Sequence, residues 1–551
     1  MDEPQDNKKA ILGPILGIES EYEYSLIFAC ETFHSISSLE LSLVCSGGDN
    51  KTYKCLTVFE LKSTWVYKFV FPVEAKKDTY KVNYKISIDG VNLVDRHINS
   101  SWTFVVPGSD NVPKIGFFSC NGNSKKLPQF QSNADYVMWD RLYISHIKEN
   151  MSHSFHCIIM GGDQIYADPM WKNIPYFKDH KLLGWNSNRA IEKHVIKPEN
   201  MSSFTAQLEE FYERLYIESW GKPAVSKALA AIPSIMMWDD HDIFDGWGSQ
   251  PTALQESQVF QLIFKIAKKY FEVFQLRGID NKTRISQDEY SLQIRFRNFE
   301  IFVLDNRSHR TNNQIMSVSQ FENVEDFRNK YLFEGMSEAL SKEKVLLFAI
   351  AVPVAHLNYK KRTEKVLKWP IIKNFRYSLN DDALDHWDHS NHVRQQKRLL
   401  DTIFSLADHT SPKYVHIISG DVHSAGAGRI VKESANELRI VNEYISSPIV
   451  YKPIGRFQQY LLSKLSDEHS QVAGYKIGVY QFGFDPKKQK TIYQRNYGSF
   501  YKGDGMGLRV YFTYQNTNED DVPGQPAMYL RTKKTQNKND KEKSFEYLNI
   551  V

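Results

Sequence analysis

The 551-residue sequence lacks a disulfide framework. Its five cysteines, at 30, 45, 55, 120 and 157, are odd in number and follow no regular spacing, so they read as reduced thiols, mostly buried. It also lacks an excess of either charge. The formal net charge is +4 at pH 7, which gives no electrostatic reason to expect nucleic acid as a partner. No apolar run approaches the ~18–20 residues that a membrane helix needs. The run Ile11 to Gly17 is too short and too broken by Gly and Pro for the core of a signal peptide. A soluble protein, cytoplasmic where it is made, is therefore expected, and the Asn-x-Ser/Thr triplets at Asn99, Asn150 and Asn281 read as chance matches. There is no Walker-type phosphate loop and no Gly-x-Ser-x-Gly elbow. The segment Gly503-Asp504-Gly505-Met506-Gly507 has the glycines of a dinucleotide loop, but it precedes a strand rather than a helix.

What is present is ample core material. A hydrophobic fraction of 42%, with 13% aromatics, rules out wholesale disorder, and the length suggests two to four domains. Short β-branched and aromatic segments at 24–30, 39–45, 52–61, 65–73, 80–88 and 101–106, separated by turn residues, predict an N-terminal all-β sandwich over residues 1–107. Beyond the linker Pro107-Gly108-Ser109-Asp110-Asn111, apolar strands alternate with helical patterns at 136–147, 204–231 and 392–406, which predicts an α/β layered domain over 112–500. Residues 501–551 read as one more strand and a polar, Lys-rich tail.

Reactive side chains recur in one context, directly after apolar strands. Phe117-Phe118 leads into Ser119-Cys120, and Ile158-Ile159-Met160 into Gly161-Gly162-Asp163 with Tyr166 and Asp168 beyond. Met236-Met237-Trp238 leads into Asp239-Asp240-His241-Asp242, Val303-Leu304 into Asp305-Asn306-Arg307, and Ile417-Ile418-Ser419 into Gly420-Asp421-Val422-His423. The carboxyl ends of strands line the ligand crevice of an open α/β sheet. Five such ends carrying carboxylates, imidazoles, a phenol and a thiol predict one shared metal site. Two metals about 3.5–4 Å apart need a bridging ligand, and a carboxylate on a tight glycine turn, Asp163, suits that task. The neighbours Asp239 and Asp240 cannot both be buried and ionised without a cation near them.

The strings Phe118-Ser119-Cys120, Gly162-Asp163-Gln164-Ile165-Tyr166, Trp238-Asp239-Asp240-His241-Asp242, Leu304-Asp305-Asn306-Arg307-Ser308 and Ser419-Gly420-Asp421-Val422-His423 resemble, in order, motifs of the PhoD-like alkaline phosphatase family. His386-Trp387-Asp388 and the stretch Arg394 to Leu400 resemble a further family segment, and the likeness covers about residues 11 to 500. It implies a calcineurin-like metallophosphoesterase core, a four-layer α/β/β/α sandwich, preceded here by the N-terminal sandwich. It further implies a metal-dependent phosphatase with a dinuclear or trinuclear centre of Fe3+ and Ca2+, other divalent metals being alternatives. Cys120, Asp163 and Tyr166 would hold the ferric ion, with His423 a further ligand. Asp163 would bridge to a calcium-type site completed by Asp240 and Asp421, hard oxygens suiting calcium and phenolate and thiolate suiting ferric iron.

The substrate expected is a small phosphate monoester, attacked by metal-bound hydroxide. His241 would protonate the leaving group or steady the phosphate, and Arg307 would grip phosphate oxygens with both arms. Alternatives are a phosphodiesterase or phospholipase on the same scaffold, or a non-catalytic binding protein with a phosphatase-like core. The chain departs from better-known members by lacking a twin-arginine leader and by carrying Asp242 where Glu is frequent. The Asp- and His-rich loop 385–392 is expected at the rim of the pocket rather than as a second metal site. Nothing in the sequence indicates an oligomeric state.

Overall fold

The computed structural model describes residues 8–45, 50–148, 150–151, 153–183, 188–333, 345–355, 387, 391–409, 415–433, 438–453, 469–472, 474–480, 491–502, 508–515 and 527–528. Most of the expected loop 385–392, the loop 503–507 and nearly all of the tail beyond 515 lie outside these residues. The fold is mixed α/β with three sheets among the described residues.

The largest sheet has ten strands in the order Ala527–Met528, Leu508–Tyr514, Asn496–Lys502, Lys114–Phe118, Phe155–Gly161, Ser234–Met237, Leu12–Ser20, Glu23–Cys30, Trp65–Pro72, Thr57–Glu60. Its centre, Lys114–Phe118 to Phe155–Gly161 to Ser234–Met237 to Leu12–Ser20, is parallel. The hydrogen bonding crosses the boundary expected at residue 107. Four strands of the N-terminal segment extend this sheet, and only Leu39–Cys45, Asn50–Lys54, Tyr80–Ile88, Val91–Asn92 and Trp102–Val106 make a separate five-stranded sheet. Burial explains the division. Leu12–Ser20 is buried at every residue but the last, as a strand covered on both faces must be, whereas Tyr80–Ile88 alternates inward and outward.

The third sheet has eight strands in the order Leu292–Phe296, Phe299–Leu304, Val345–Ile350, Val415–Ser419, Leu438–Ile445, Gly426–Glu433, Tyr475–Tyr480, His469–Val472. Its middle is parallel. Ile301, Val303, Leu347 and Ala349 face the same core as Ile115, Ile159 and Ile235 of the ten-stranded sheet. The residues between them, Phe302, Leu346 and Phe348, face a second core with Phe321, Val324, Leu400 and Ile403. These last four come from the helices Val318–Phe333 and Val393–His409. Period-2 alternation thus buries both faces of the sheet.

The long helical stretch expected at 204–231 is two helices, Pro198–Trp220 and Pro223–Ala231, each with proline in its first turn. Pro223 cannot donate the amide that a continuous helix would need. The helix Gln258–Phe274, absent from the sequence reading, starts at Ser257, whose hydroxyl accepts the amide of Phe260. Among the described residues, no helix is long and apolar enough to cross a membrane.

Candidate metal centre

Loops leaving the parallel strands of both large sheets meet at one place. The Cys120 amide donates to the Gly162 carbonyl at 3.3 Å, and that of Asn121 to the Asp163 carbonyl at 2.8 Å. Across the sheets, the Asp421 amide donates to Ser119 Oγ at 3.1 Å. The approach is close enough that a Cβ on Gly420 would lie 2.3 Å from Ser119 Oγ.

The backbone is strained here. Cys120, Asp163, Asp421 and His423 have φ of 56°, 55°, 57° and 49°, a left-handed conformation that costs a side-chain-bearing residue of order 1–3 kcal/mol. These are four of the six residues expected from sequence to hold metal. Gly162, at φ 101°, makes the turn under Asp163, and a Cβ there would stand 2.7 Å from Asp239 Cβ.

Three overlapping groups of donor atoms result, each with its atoms within 4.8 Å of one another: Cys120, Asp163 and His423; Asp163, Asp240 and His241; and Asp163, Asp239, Asp240 and Asp421. Asp163 is common to all three. Cys120 Sγ lies 3.4 Å from Asp163 Oδ2 and receives the Ser447 hydroxyl at 2.9 Å. The Tyr166 hydroxyl donates to Asp163 Oδ2 at 3.2 Å and stands 3.4 Å from His423 Nε2. The rings are stacked: Tyr166 against His241 with centroids 4.2 Å apart, and His423 against Tyr451 at 3.9 Å and 9°.

Burial raises the proton affinity of the acids. The Asp163 carboxyl is pushed well up by burial and by Asp240, Asp239 and Asp242, against the opposing pull of His241. Burial, then Asp163, pushes the Cys120 thiol up, and the same two causes push up the Tyr166 phenol. Burial would lower His241, but the carboxylates Asp168, Asp240 and Asp163 outweigh it and raise the imidazole. His423 is pulled down to about 3 by burial and then by His241. So many buried acids in one place call for positive charge. Asp163 Oδ1 is buried with no hydrogen-bond partner, and the donors comprise sulfur, imidazole, phenol and carboxylate. The residues fit a metal centre.

Arg307, expected to grip phosphate oxygens, has its guanidinium against protein groups. It is fully buried. Its Nε donates to Asp239 Oδ1 and its Nη1 to the Trp247 carbonyl at 3.0 Å, while Nη2 lies 3.6 Å from Asp240 Oδ1. Its guanidinium thus faces two acids and a carbonyl within the protein.

Asp242 is a scaffold. It accepts the amides of Gln164, Ile165 and Asp239 and the Gln275 side chain.

Sequence reasoning gave no role to Asp168, Ser447 or Tyr451, and left Asp239 outside the ligand set. Asp168 accepts from His241 Nδ1 at 2.8 Å, and its place five residues after Asp163 was the one available signal. Ser447 lies 327 residues from Cys120, while Tyr451 lies 28 residues from His423 and 285 from Tyr166, and nothing local marks either. Of the loop 385–392, Trp387 is buried and donates to the Val352 carbonyl at 3.1 Å.

The chain is similar to one protein family and to three individual proteins. The family model described as PhoD related phosphatase matches residues 73–324, which contain Cys120, Asp163, Tyr166, Asp240, His241 and Arg307. The Saccharomyces cerevisiae protein named "Uncharacterized protein YGR266W" is 23% identical over 470 aligned residues, covering 71% of this chain. The chain spans 63% of that protein's length. Among solved structures, one titled "Structure of PhoD" shares the fold with a TM-score of 0.56 at 14% identity, covering 96% of this chain and 90% of that one. A purple acid phosphatase from yellow lupin (Lupinus luteus) seeds is also similar, with a TM-score of 0.48 at 9% identity, covering 91% of this chain and 71% of that one.

Proposed function

We infer, from a chain that is PhoD-related over residues 73–324, that it is a metal-dependent phosphoric ester hydrolase acting on small phosphomonoesters. The observation that carries this reading is the convergence on Asp163: thiol, phenol, imidazole and carboxylate donors from four separate strand ends share one buried locus, on backbone held left-handed at Cys120, Asp163, Asp421 and His423. In this reading the two large sheets and their helices form the four-layer arrangement of metallophosphoesterases. Residues 112–500 supply every ligand, strands within 1–107 extend the ten-stranded sheet and build the five-stranded one, and from the segment 501–551 Leu508–Tyr514 continues the ten-stranded sheet.

Cys120, Asp163, Tyr166 and His423 would hold a ferric ion, and Asp163, with Asp240 and Asp421, a calcium ion. The metals supply positive charge for the phosphate oxygens and lower the pKa of the attacking water. The chain's own residues do the rest. Asp168 fixes the ring of His241 through Nδ1, which leaves Nε2 to deliver a proton to the departing alkoxide. Tyr166 and Tyr451 pack flat against His241 and His423 and fix their ring planes.

The test compares nitrophenyl phosphate with its bis ester, with and without a chelator, alongside metal analysis of the purified protein. Chelator-sensitive hydrolysis of the monoester with iron and calcium bound supports the reading. Preference for the bis ester would move the chain to the diesterases, and absence of both metal and turnover would make it a binding protein.

A further inference from the structure

Arg307 carries the inference. Besides the contacts of its guanidinium with Asp239, Asp240 and the Trp247 carbonyl, its loop is braced from below. The Arg307 amide donates to Asp305 Oδ1 at 3.0 Å, and the same carboxylate takes the Trp238 indole at 3.0 Å and the amides of Tyr290 and Ser308 at 2.9 and 3.1 Å. To reach a phosphate, this guanidinium would have to leave buried carboxylates behind, and an uncompensated buried charge is strongly unfavourable.

The acids it holds belong to the metal site. Oxygens of Asp239 and Asp240 lie within 4.8 Å of those of Asp163 and Asp421. Four carboxylates at that spacing repel one another. A carboxylate has two oxygens, so one can take an arginine while the other faces a cation. The planar fork of arginine suits such a pair, and a lysine ammonium does not reproduce it. On its other side Asp239 abuts Gly162, where even a Cβ would come within 2.7 Å. A shift of Asp239 therefore presses on the turn that carries Asp163.

We propose that Arg307 is a positioning residue: a buried counter-charge that holds Asp239 and Asp240 in their metal-facing arrangement without touching substrate. The proposal rests on the metallophosphoesterase reading, and the test separates the two.

Full-length wild type, Arg307→Gln and Arg307→Lys are loaded with iron and calcium and dialysed against a chelator. Metal ions per chain are then counted, and kcat and KM for nitrophenyl phosphate are measured in excess metal. Partners that orient metal ligands typically account for 10–100-fold in metal affinity. Arg307→Gln should accordingly need about 10–100-fold more metal for half-maximal activity and lose metal to the chelator, with KM within about twofold of wild type. Arg307→Lys should fall between. Normal metal retention with a raised KM would overturn the proposal in favour of a phosphate grip, and normal retention with normal KM would overturn it outright. If Arg307→Gln does not accumulate as folded protein, Arg307→Lys decides by the same two readouts. A wild type that binds no metal would refute the functional reading instead.

Discussion

Asp168 Oδ2 lies 2.8 Å from His241 Nδ1, and Asp168 Oδ1 accepts the Asp245 amide at 2.8 Å. One carboxylate thus ties the histidine beside the candidate metal-site acids to the loop that follows it, and in the proposed mechanism fixes which ring nitrogen is left for substrate. Asp168→Asn keeps the shape but can offer an N–H to Nδ1, which inverts the tautomer. The expected result is a kcat lowered about 10–100-fold with KM nearly unchanged, measured by steady-state kinetics in excess metal. An unchanged kcat would remove Asp168 from the mechanism.

Gly162→Ala should be disproportionately damaging for a one-carbon change. The added methyl meets Asp239 Cβ at 2.7 Å on a backbone of φ 101°. The combined strain should cost about 1–3 kcal/mol of stability. It should also weaken metal retention, because the turn carries Asp163. Chemical unfolding of the metal-free variant and metal counting of the loaded one check the two effects separately.

Cys120→Ala should abolish metal-dependent hydrolysis while leaving far-ultraviolet circular dichroism unchanged. The thiol is buried among Ser119, Ser447 and Asp163, and its loss opens only a small polar gap. Retained iron and turnover in this variant would show that sulfur is not a ligand.

Glu443 makes a prediction away from the metal ligands. It is fully buried and accepts from the Ser419 hydroxyl and from the amides of Val354 and Ala355. Burial lifts its carboxyl from 4.5 to about 7, against those hydrogen bonds. The folded chain therefore holds a proton that the unfolded chain releases between these values. Its contribution to stability falls as pH rises through that window and is flat on either side. Thermal unfolding of wild type and Glu443→Gln, from about pH 4.5 to about pH 8, should show the variant gaining on the wild type by at most roughly 3 kcal/mol. A pH-independent difference would contradict this.

The site was more legible in the sequence than the sheets that carry it. An apolar run ending in Gly-Gly-Asp or Trp-Asp-Asp-His announces a buried strand delivering candidate ligands, because both the run and its polar end are local. Leu12–Ser20 gave no such signal. Its parallel partner, Ser234–Met237, lies more than two hundred residues away, and no local pattern reveals which sheet a β-rich segment will join. The same holds for Arg307. Nothing local to an arginine after a strand reveals that Asp239 and Trp247, 68 and 60 residues earlier in the chain, lie against it. The contact of Ser447 with Cys120 likewise exists only once both sheets are assembled.

The most direct measurement of the central claim is hydrolysis of nitrophenyl phosphate by metal-loaded wild type and Asp163→Asn, each with and without chelator. Asp163 is the one residue common to all three donor groups. The account predicts turnover by the wild type that the chelator abolishes, and none above background by a folded Asp163→Asn protein. Full activity in Asp163→Asn, or wild-type turnover indifferent to the chelator, would contradict it.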